Sequence, residues 1–122
     1  LYQDGELVGF DEAKAIRWLQ AAADQNYAPA LNRLGAAYAL GRGVPEDDVK
    51  GTDYYRRAAD LGDPRAMLNY ARALEQGVGT ERNTGAAIAY YRRAAEQSDD
   101  QEIRDLANQS LERLGAAKPA GT

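Results

Sequence analysis

The sequence predicts an all-α protein in which two-helix hairpins stack on one another as a solenoid. Three observations lead to this class. Similar residues recur at intervals of 36 along the 122-residue chain, and apolar residues follow helical spacing within each interval. Glycine and proline fall where short helices would begin and end. A single hairpin cannot cover its own apolar face, so a sequence repeat of this length is typical of stacked hairpins.

The repeat is clearest in its aromatic and alanine positions. The string Tyr-Tyr-Arg-Arg-Ala-Ala occurs at 54–59 and again at 90–95, and one column aligns Trp18 with Tyr54 and Tyr90. Paired alanines recur in a neighbouring column, at 22–23, 58–59 and 94–95. Alanine lets helices approach closely, so we expect these pairs at helix contacts and the aromatic residues as filling between layers. The positions predicted to hold the repeat together are Leu34, Gly35, Tyr38, Gly41, Gly43, Tyr54, Ala58, Gly77, Gly79, Tyr90 and Ala94.

The first helix of each repeat is predicted over 29–40 and 64–76. Pro29 and Pro64 suit a first helical turn, where a missing N–H costs nothing, and Asp63 is a candidate N-cap. One glycine follows the last residue with helical spacing in each of these helices. We therefore expect left-handed C-caps with positive φ at Gly41 and Gly77.

The second helix of each repeat is predicted over 11–25, 48–61 and 83–97, with Asp11 and Asn83 as candidate N-caps. The segment from Ser98 to Gln101 reads as a capping box that opens a last helix, through Leu114. The predicted units are a partial repeat at 1–28, repeats at 29–63 and 64–98, and a capping helix at 99–114. Small residues at 115–122 predict a disordered tail.

Composition argues against most enzyme classes. The chain has no histidine and no cysteine, which removes the commonest general base and the thiolate ligands and nucleophiles. Its net charge of −4 disfavours nucleic acid, and no apolar run approaches the roughly 20 residues that cross a bilayer. We therefore expect no catalytic residue, no metal site, no cofactor, no nucleic-acid partner and no membrane insertion.

Several motifs together resemble the Sel1-like repeat, a relative of the tetratricopeptide repeat. The matching residues include Leu34-Gly35, Tyr38, Gly41-Arg42-Gly43-Val44, Asp47, Lys50, Tyr54-Tyr55, Arg57-Ala58-Ala59 and Gly62. A second copy keeps Ala66, Tyr70-Ala71, Leu74, Gly77-Val78-Gly79, Ala86-Ala87, Tyr90-Tyr91 and Arg93-Ala94-Ala95. The resemblance covers 1–114 and implies a right-handed α/α superhelix. It also implies a scaffold or adaptor that binds other proteins, often in bacteria.

The N-terminal copy is partial, and its Leu7-Val8 departs from the Gly-x-Gly-Val turn of the family. Since the only methionine is Met67, Leu1 is interpreted as lying within a longer product. The compartment stays open between the cytoplasm and the periplasm or secretion, with a preference for the periplasm. The oligomeric state is also open.

The candidate binding surface is the first-helix face turned away from the apolar stripe, because helical solenoids usually bind partners on the concave side. In register, this face carries a polar and mildly basic set of side chains. Its members are Arg33, Asn69, Arg72, Gln76 and Asn108. Asparagine pairs with peptide groups and arginine with carboxylates, so we expect a groove for an extended peptide or partner loop of acidic character. The alternative is that these residues form an ordinary solvated helix face and that partners bind elsewhere.

Three other groups of residues allow both a structural and a functional interpretation. The Gly-x-Gly pairs at 41–43 and 77–79 favour turns over phosphate loops, because they follow helices and lack a Gly-Lys-Ser/Thr sequence. The acidic runs at 46–48 and 99–100 favour helix starts over calcium loops. Arginine pairs at 56–57 and 92–93 favour a charge-paired helix face, with an RNA-binding repeat as the alternative. A docking or regulatory segment of a larger enzyme is the remaining alternative function.

Overall fold

A computed structural model describes the backbone of residues 4–116 and the side chains of residues 12–116. Over this range the chain forms six α-helices and no strand. The helices are α1 (Asp4–Ala23), α2 (Ala28–Leu40), α3 (Asp48–Asp60), α4 (Pro64–Gln76), α5 (Thr84–Gln97) and α6 (Gln101–Arg113). The predicted all-α solenoid of about three two-helix repeats is confirmed.

The helices stack in chain order. Each one packs on its neighbours in sequence, and the first helices of successive repeats also touch, α2 with α4 and α4 with α6. The most extensive contacts join α2 to α3 and α4 to α5, so these two pairs are the complete hairpins. By register, α1 is the second helix of an earlier hairpin and α6 is the first helix of a later one.

Local capping groups place most helix ends where the sequence predicts them. The Asp63 carboxylate accepts a hydrogen bond from the Arg65 backbone N–H at 3.1 Å, and Asn83 accepts one from the Ala86 N–H at 3.0 Å. Gly41 and Gly77 have φ values of 68° and 72°, which confirms the predicted left-handed C-caps.

Two predicted N-caps are wrong. Helix α1 begins at Asp4 and continues through Asp11, so Asp11 lies inside a helix. Gly43, which ends the corresponding turn one repeat later, has φ 77°, whereas its counterpart here is Leu7, a residue disfavoured in left-handed geometry. Asp100, and not Ser98, caps α6, because its carboxylate accepts from the Glu102 N–H. Ser98 accepts from the Asp100 N–H and so shapes the turn before that cap.

Two glycines lie in the contact between α2 and α3. A Cβ on Gly35 would lie 2.6 Å from the Tyr55 ring, and one on Gly51 would lie 2.8 Å from the Gly35 carbonyl oxygen. In the next hairpin, Ala71 and Ala87 occupy the corresponding positions, and both are fully buried. The α4–α5 contact therefore accepts one methyl group per helix where the α2–α3 contact accepts none.

Several of the repeat positions lie in the core or in aromatic contacts. Leu34, Ala58 and Ala94 are fully buried, and Tyr54 stacks on Tyr38 with ring centroids 5.7 Å apart. Tyr90 meets Tyr70 edge to face at 4.9 Å. Trp18, which shares the column of Tyr54 and Tyr90, does not fill a layer.

Helix α6 ends in a left-handed turn. Gly115 has φ 72°, and the Ala116 N–H donates to the Leu111 carbonyl at 2.7 Å. The Arg92 guanidinium then donates to the Ala116 carbonyl at 3.0 Å. The first two residues of the predicted tail thus belong to the helix end, while 117–122 lies outside the described residues.

Candidate functional site

A groove runs between the second helix of one repeat and the first helix of the next. Its larger described cavity, which we call the second compartment, has a volume of about 410 Å³ and lies between α3 and α4. The lining comprises Ala39, Leu40, Asp48, Thr52, Tyr55, Asn69, Arg72, Ala73, Gln76 and Val78. Three of the five residues predicted to bind a partner, Asn69, Arg72 and Gln76, therefore come together in one cavity.

A smaller cavity of about 290 Å³ lies between α1 and α2 and is called here the first compartment. Its lining comprises Glu12, Ala15, Ile16, Leu19, Arg33, Ala36, Ala37, Leu40 and Arg42. Most of these residues precede a residue of the second compartment by 36 positions. Such pairs are Glu12 with Asp48, Ile16 with Thr52, Leu19 with Tyr55, Arg33 with Asn69, Ala36 with Arg72, and Leu40 with Gln76. The two cavities are thus one compartment repeated.

The chemistry of the repeated compartment changes along the array. The first compartment is lined mainly by aliphatic side chains, among them Ile16, Leu19 and Ala36, together with the charged Glu12, Arg33 and Arg42. In the second compartment the same positions carry a hydroxyl, a phenol and a guanidinium. A chain lying along the groove would therefore pass from an apolar subsite to a polar one.

Arg72 provides the positive charge of the second compartment. Its side chain is exposed, and it makes no hydrogen bond or ion pair with any residue in the described part of the chain. Burial raises the pKa of the Tyr55 phenol, and the nearby Arg72 charge acts in the opposite direction. Tyr55 therefore stays neutral at physiological pH, with a hydroxyl that can donate and accept.

Asn69 is half-buried and ties two first helices together. Its Nδ2 donates to Oδ1 of Asn32 at 2.9 Å, so α4 is fastened to α2 across the floor of the groove. The oxygen of the Asn69 amide keeps acceptor capacity towards the cavity. Asn69 thus holds the groove in shape as well as lining it.

The remaining predicted binding residues lie apart from this cavity. Arg33 lines the first compartment, and Asn108 is exposed on α6, beyond the lining of both compartments. Four residues of the second helices were missed by the sequence prediction: Ile16, Leu19, Thr52 and Tyr55. The repeat alignment holds the signal, since Ile16 aligns with Thr52 and Leu19 with Tyr55.

The arginine pairs are engaged within the protein. Arg56 forms ion pairs with Asp53 at 2.7 Å and Asp60 at 3.6 Å, which confirms the predicted charge-paired face. The guanidinium groups of Arg57 and Arg93 lie over the rings of Tyr54 and Tyr90, at 5.4 Å and 5.2 Å from the ring centroids. Carboxylates thus offset the charge of Arg56, while Arg57 and Arg93 keep their charge beside tyrosine rings.

The glycine turns and acidic runs have structural roles. A Cβ on Gly79 would lie 2.1 Å from the Asp48 carbonyl oxygen, so this turn packs directly on α3 and leaves no cradle for a phosphate. Asp47 caps α3 by accepting from the Lys50 N–H. Within residues 12–116, no three acidic side chains gather closely enough to hold a metal ion. None of the helices described is both long and apolar enough to cross a bilayer.

The Sel1 repeat family model matches residues 1–27, 28–63 and 64–99, and the chain belongs to this family. A Sel1 repeat protein from Oxalobacter formigenes has a similar crystal structure, with a TM-score of 0.74 and 29% identity over 87% of this chain and 43% of that one. The c5321 protein, a protective antigen of uropathogenic Escherichia coli strains with an SLR fold, gives a TM-score of 0.73 and 27% identity over 86% of this chain and 22% of that one.

Helicobacter pylori cysteine rich protein B shares the fold at a TM-score of 0.69, with 23% identity over 75% of this chain and 68% of that one. No sequence among the curated proteins matches. The chain spans less than half the length of the first two relatives. Sel1 repeat proteins are generally scaffolds for protein interactions.

Proposed function

We propose that this protein is a non-catalytic interaction scaffold whose groove binds an extended peptide or a partner loop. The observation that carries the proposal is the repeated compartment, apolar between α1 and α2 and polar between α3 and α4. Arg72, which forms no ion pair within the described part of the chain, lies in the compartment between α3 and α4.

The compartments define a ligand pattern. An apolar side chain fits beside Ile16 and Leu19, and a carboxylate fits against Arg72, which can hold it with two hydrogen bonds. Gln76 and the free oxygen of Asn69 suit the N–H and C=O groups of the ligand backbone. Neighbouring first helices pack about 8–10 Å apart and an extended chain rises about 3.3 Å per residue, so the apolar and acidic residues should be about three positions apart.

The test is a set of fluorescent 12-residue peptides, each with one leucine and one glutamate separated by one to six positions. Fluorescence polarisation would measure their affinity for the full chain. We expect the tightest binding at a separation of about three positions. Arg72→Gln should weaken the affinity about tenfold, because it removes one charge-assisted pair between the guanidinium and the peptide carboxylate. Arg82→Gln is the matched control, because Arg82 is an exposed arginine outside both compartments.

Equal affinity at every separation, or equal losses in the two arginine variants, would contradict the proposal. The RNA alternative has its own signature in the same assay. A single-stranded RNA that binds more tightly than any peptide, with affinity falling steeply as salt rises, would replace the peptide groove by a nucleic-acid surface.

A further inference from the structure

The Tyr55 hydroxyl in the second compartment has no hydrogen-bond partner within residues 12–116. Its ring is half-buried and lies against Gly35. A polar group withdrawn from water without a partner is unfavourable. Arg72 lies near enough for its charge to offset part of the rise that burial causes in the Tyr55 pKa. The compartment therefore presents a hydroxyl and a guanidinium close together, each able to donate to a further group.

One repeat later, the residue aligned with Tyr55 already binds a carboxylate. The Tyr91 hydroxyl of α5 donates to a carboxylate oxygen of Glu75 at 2.8 Å. The Arg113 guanidinium of α6 donates to both oxygens of the same group. These donors lower the pKa of Glu75 below its ordinary value, so the carboxylate is held in its charged form. This level of the array thus contains a carboxylate of its own.

The second compartment has a similar arrangement without the carboxylate. Ala39, which precedes Glu75 by 36 positions, lines the compartment together with Tyr55. Arg72, like Arg113, comes from the first helix of the following repeat, although it lies about one and a half turns earlier on its helix. The methyl group of Ala39 therefore leaves open the place that the Glu75 side chain fills one repeat later.

We propose that the second compartment is a glutamate subsite, in which a side-chain carboxylate of the bound peptide takes the place left open at Ala39 and accepts hydrogen bonds from Tyr55 and Arg72. The inference rests on the proposed function and adds the recognised group and Tyr55 as a binding residue. A carboxylate has enough lone pairs for both donors. Asp48, the acidic residue of the lining, lies two turns before Tyr55, about 10 Å along α3, and so does not fill this place.

The first test compares two peptides that differ only in the acceptor. One is the leucine–glutamate peptide that binds most tightly, and the other has methionine in place of the glutamate. Tyr55→Phe keeps the ring against Gly35 and removes the hydroxyl alone. It should weaken binding of the glutamate peptide about fivefold and leave that of the methionine peptide unchanged. Tyr27→Phe is the matched control, because Tyr27 is an exposed tyrosine outside both compartments.

The second test needs no peptide, because Ala39→Glu supplies the carboxylate from the chain itself. Position 39 is one residue before the end of α2, where the helix dipole disfavours a negative charge. NMR titration should nevertheless give the introduced carboxyl group a pKa below the ordinary 4.5, and Arg72→Gln should raise it. The same variant should bind the glutamate peptide about tenfold more weakly or worse, since its place is filled. Ala89→Glu, at an exposed position of α5, is the control whose pKa should not respond to Arg72→Gln.

The outcomes separate this inference from the proposed function. Equal effects of Tyr55→Phe on the two peptides, or a carboxyl group at position 39 whose pKa ignores Arg72, would overturn the subsite and leave the peptide groove intact. If no peptide binds but Arg72 holds the introduced carboxylate, the subsite stands and the peptide function fails. Tighter binding of a peptide with phosphoserine in place of the glutamate, or with its C-terminal carboxylate as the sole acid, would overturn the assignment to glutamate.

Discussion

At the scale of single residues, Glu75 is the polar group that joins the most helices. Its carboxylate, on α4, accepts the Tyr91 hydroxyl of α5 at 2.8 Å and two hydrogen bonds from the Arg113 guanidinium of α6. The side chain of Glu75 is only 14% exposed. The bond from Arg113, with a smaller contribution from Tyr91, lowers the pKa of Glu75 below its ordinary value of 4.5. This cluster holds the capping helix α6 onto the last complete hairpin.

Glu75→Gln should therefore destabilise the protein at neutral pH by about 1 kcal/mol, since a charged hydrogen bond is replaced by a neutral one and Arg113 is half-exposed. Because the folded-state pKa is lowered, the stabilisation is complete above pH 4.5 and is lost as the pH falls through the lowered value. Urea unfolding at pH 7 and at pH 3 measures this difference. Glu112→Gln, on the exposed side of α6, is the control. A gap between wild type and Glu75→Gln that stays constant with pH would contradict this account.

At the scale of helices, the glycine contact between α2 and α3 leaves no room for an added methyl group. Gly35→Ala would place a methyl group 2.6 Å from the Tyr55 ring and force the two helices apart. We expect a loss of about 1–3 kcal/mol in the free energy of unfolding, as for other overpacked interiors. Gly85→Ala on α5 is the matched control, because its Cβ would meet nothing closer than 3.7 Å. The control should be neutral or stabilising, by up to about 1 kcal/mol. A Gly35→Ala protein as stable as the control would show that the interface has room.

The helix ends depend on glycine for a different reason. Gly41 has φ 68° and its N–H donates to the Ala37 carbonyl, so a β-branched residue there must adopt left-handed geometry. Gly41→Val should cost about 1 kcal/mol or more. Thermal unfolding followed by circular dichroism measures this loss. An unchanged Tm would mean that the turn relaxes into another conformation without cost.

How far the sequence predicts these elements depends on how local their signals are. Helix α4 has the predicted ends, because Asp63, Pro64 and Gly77 act within one turn of the residues they stop or start. The start of α1 could not be predicted in this way, since Asp11 offers a capping side chain but Leu7 supplies no break before it. The cap of α6 went to Asp100 and not Ser98 because both residues suit the role, and only the packed turn decides between them.

At the scale of the whole molecule, the groove was predictable on one wall only. Helical register placed Asn69, Arg72 and Gln76 on one face of α4. The opposite wall, with Thr52 and Tyr55, depends on the angle at which α3 packs against α4, which is a property of the assembled array. Arg33 and Asn108 follow the same repeat register but lie in other repeats of the stack. Residues that align in the sequence therefore do not all lie in one compartment of the structure.

The stack also predicts how stability is distributed along the chain. Each described helix contacts its neighbours in sequence, and α4 also touches α2 and α6, so local opening should depend on how many interfaces a helix has. Helix α1 has one interface, with α2, and leaves Trp18 exposed, whereas α3 and α4 are each packed against both neighbours. Amide hydrogen exchange read by NMR should therefore show α1 opening with a free energy well below that of α3 and α4. If all helices exchanged with the same free energy, the array would unfold as one cooperative unit.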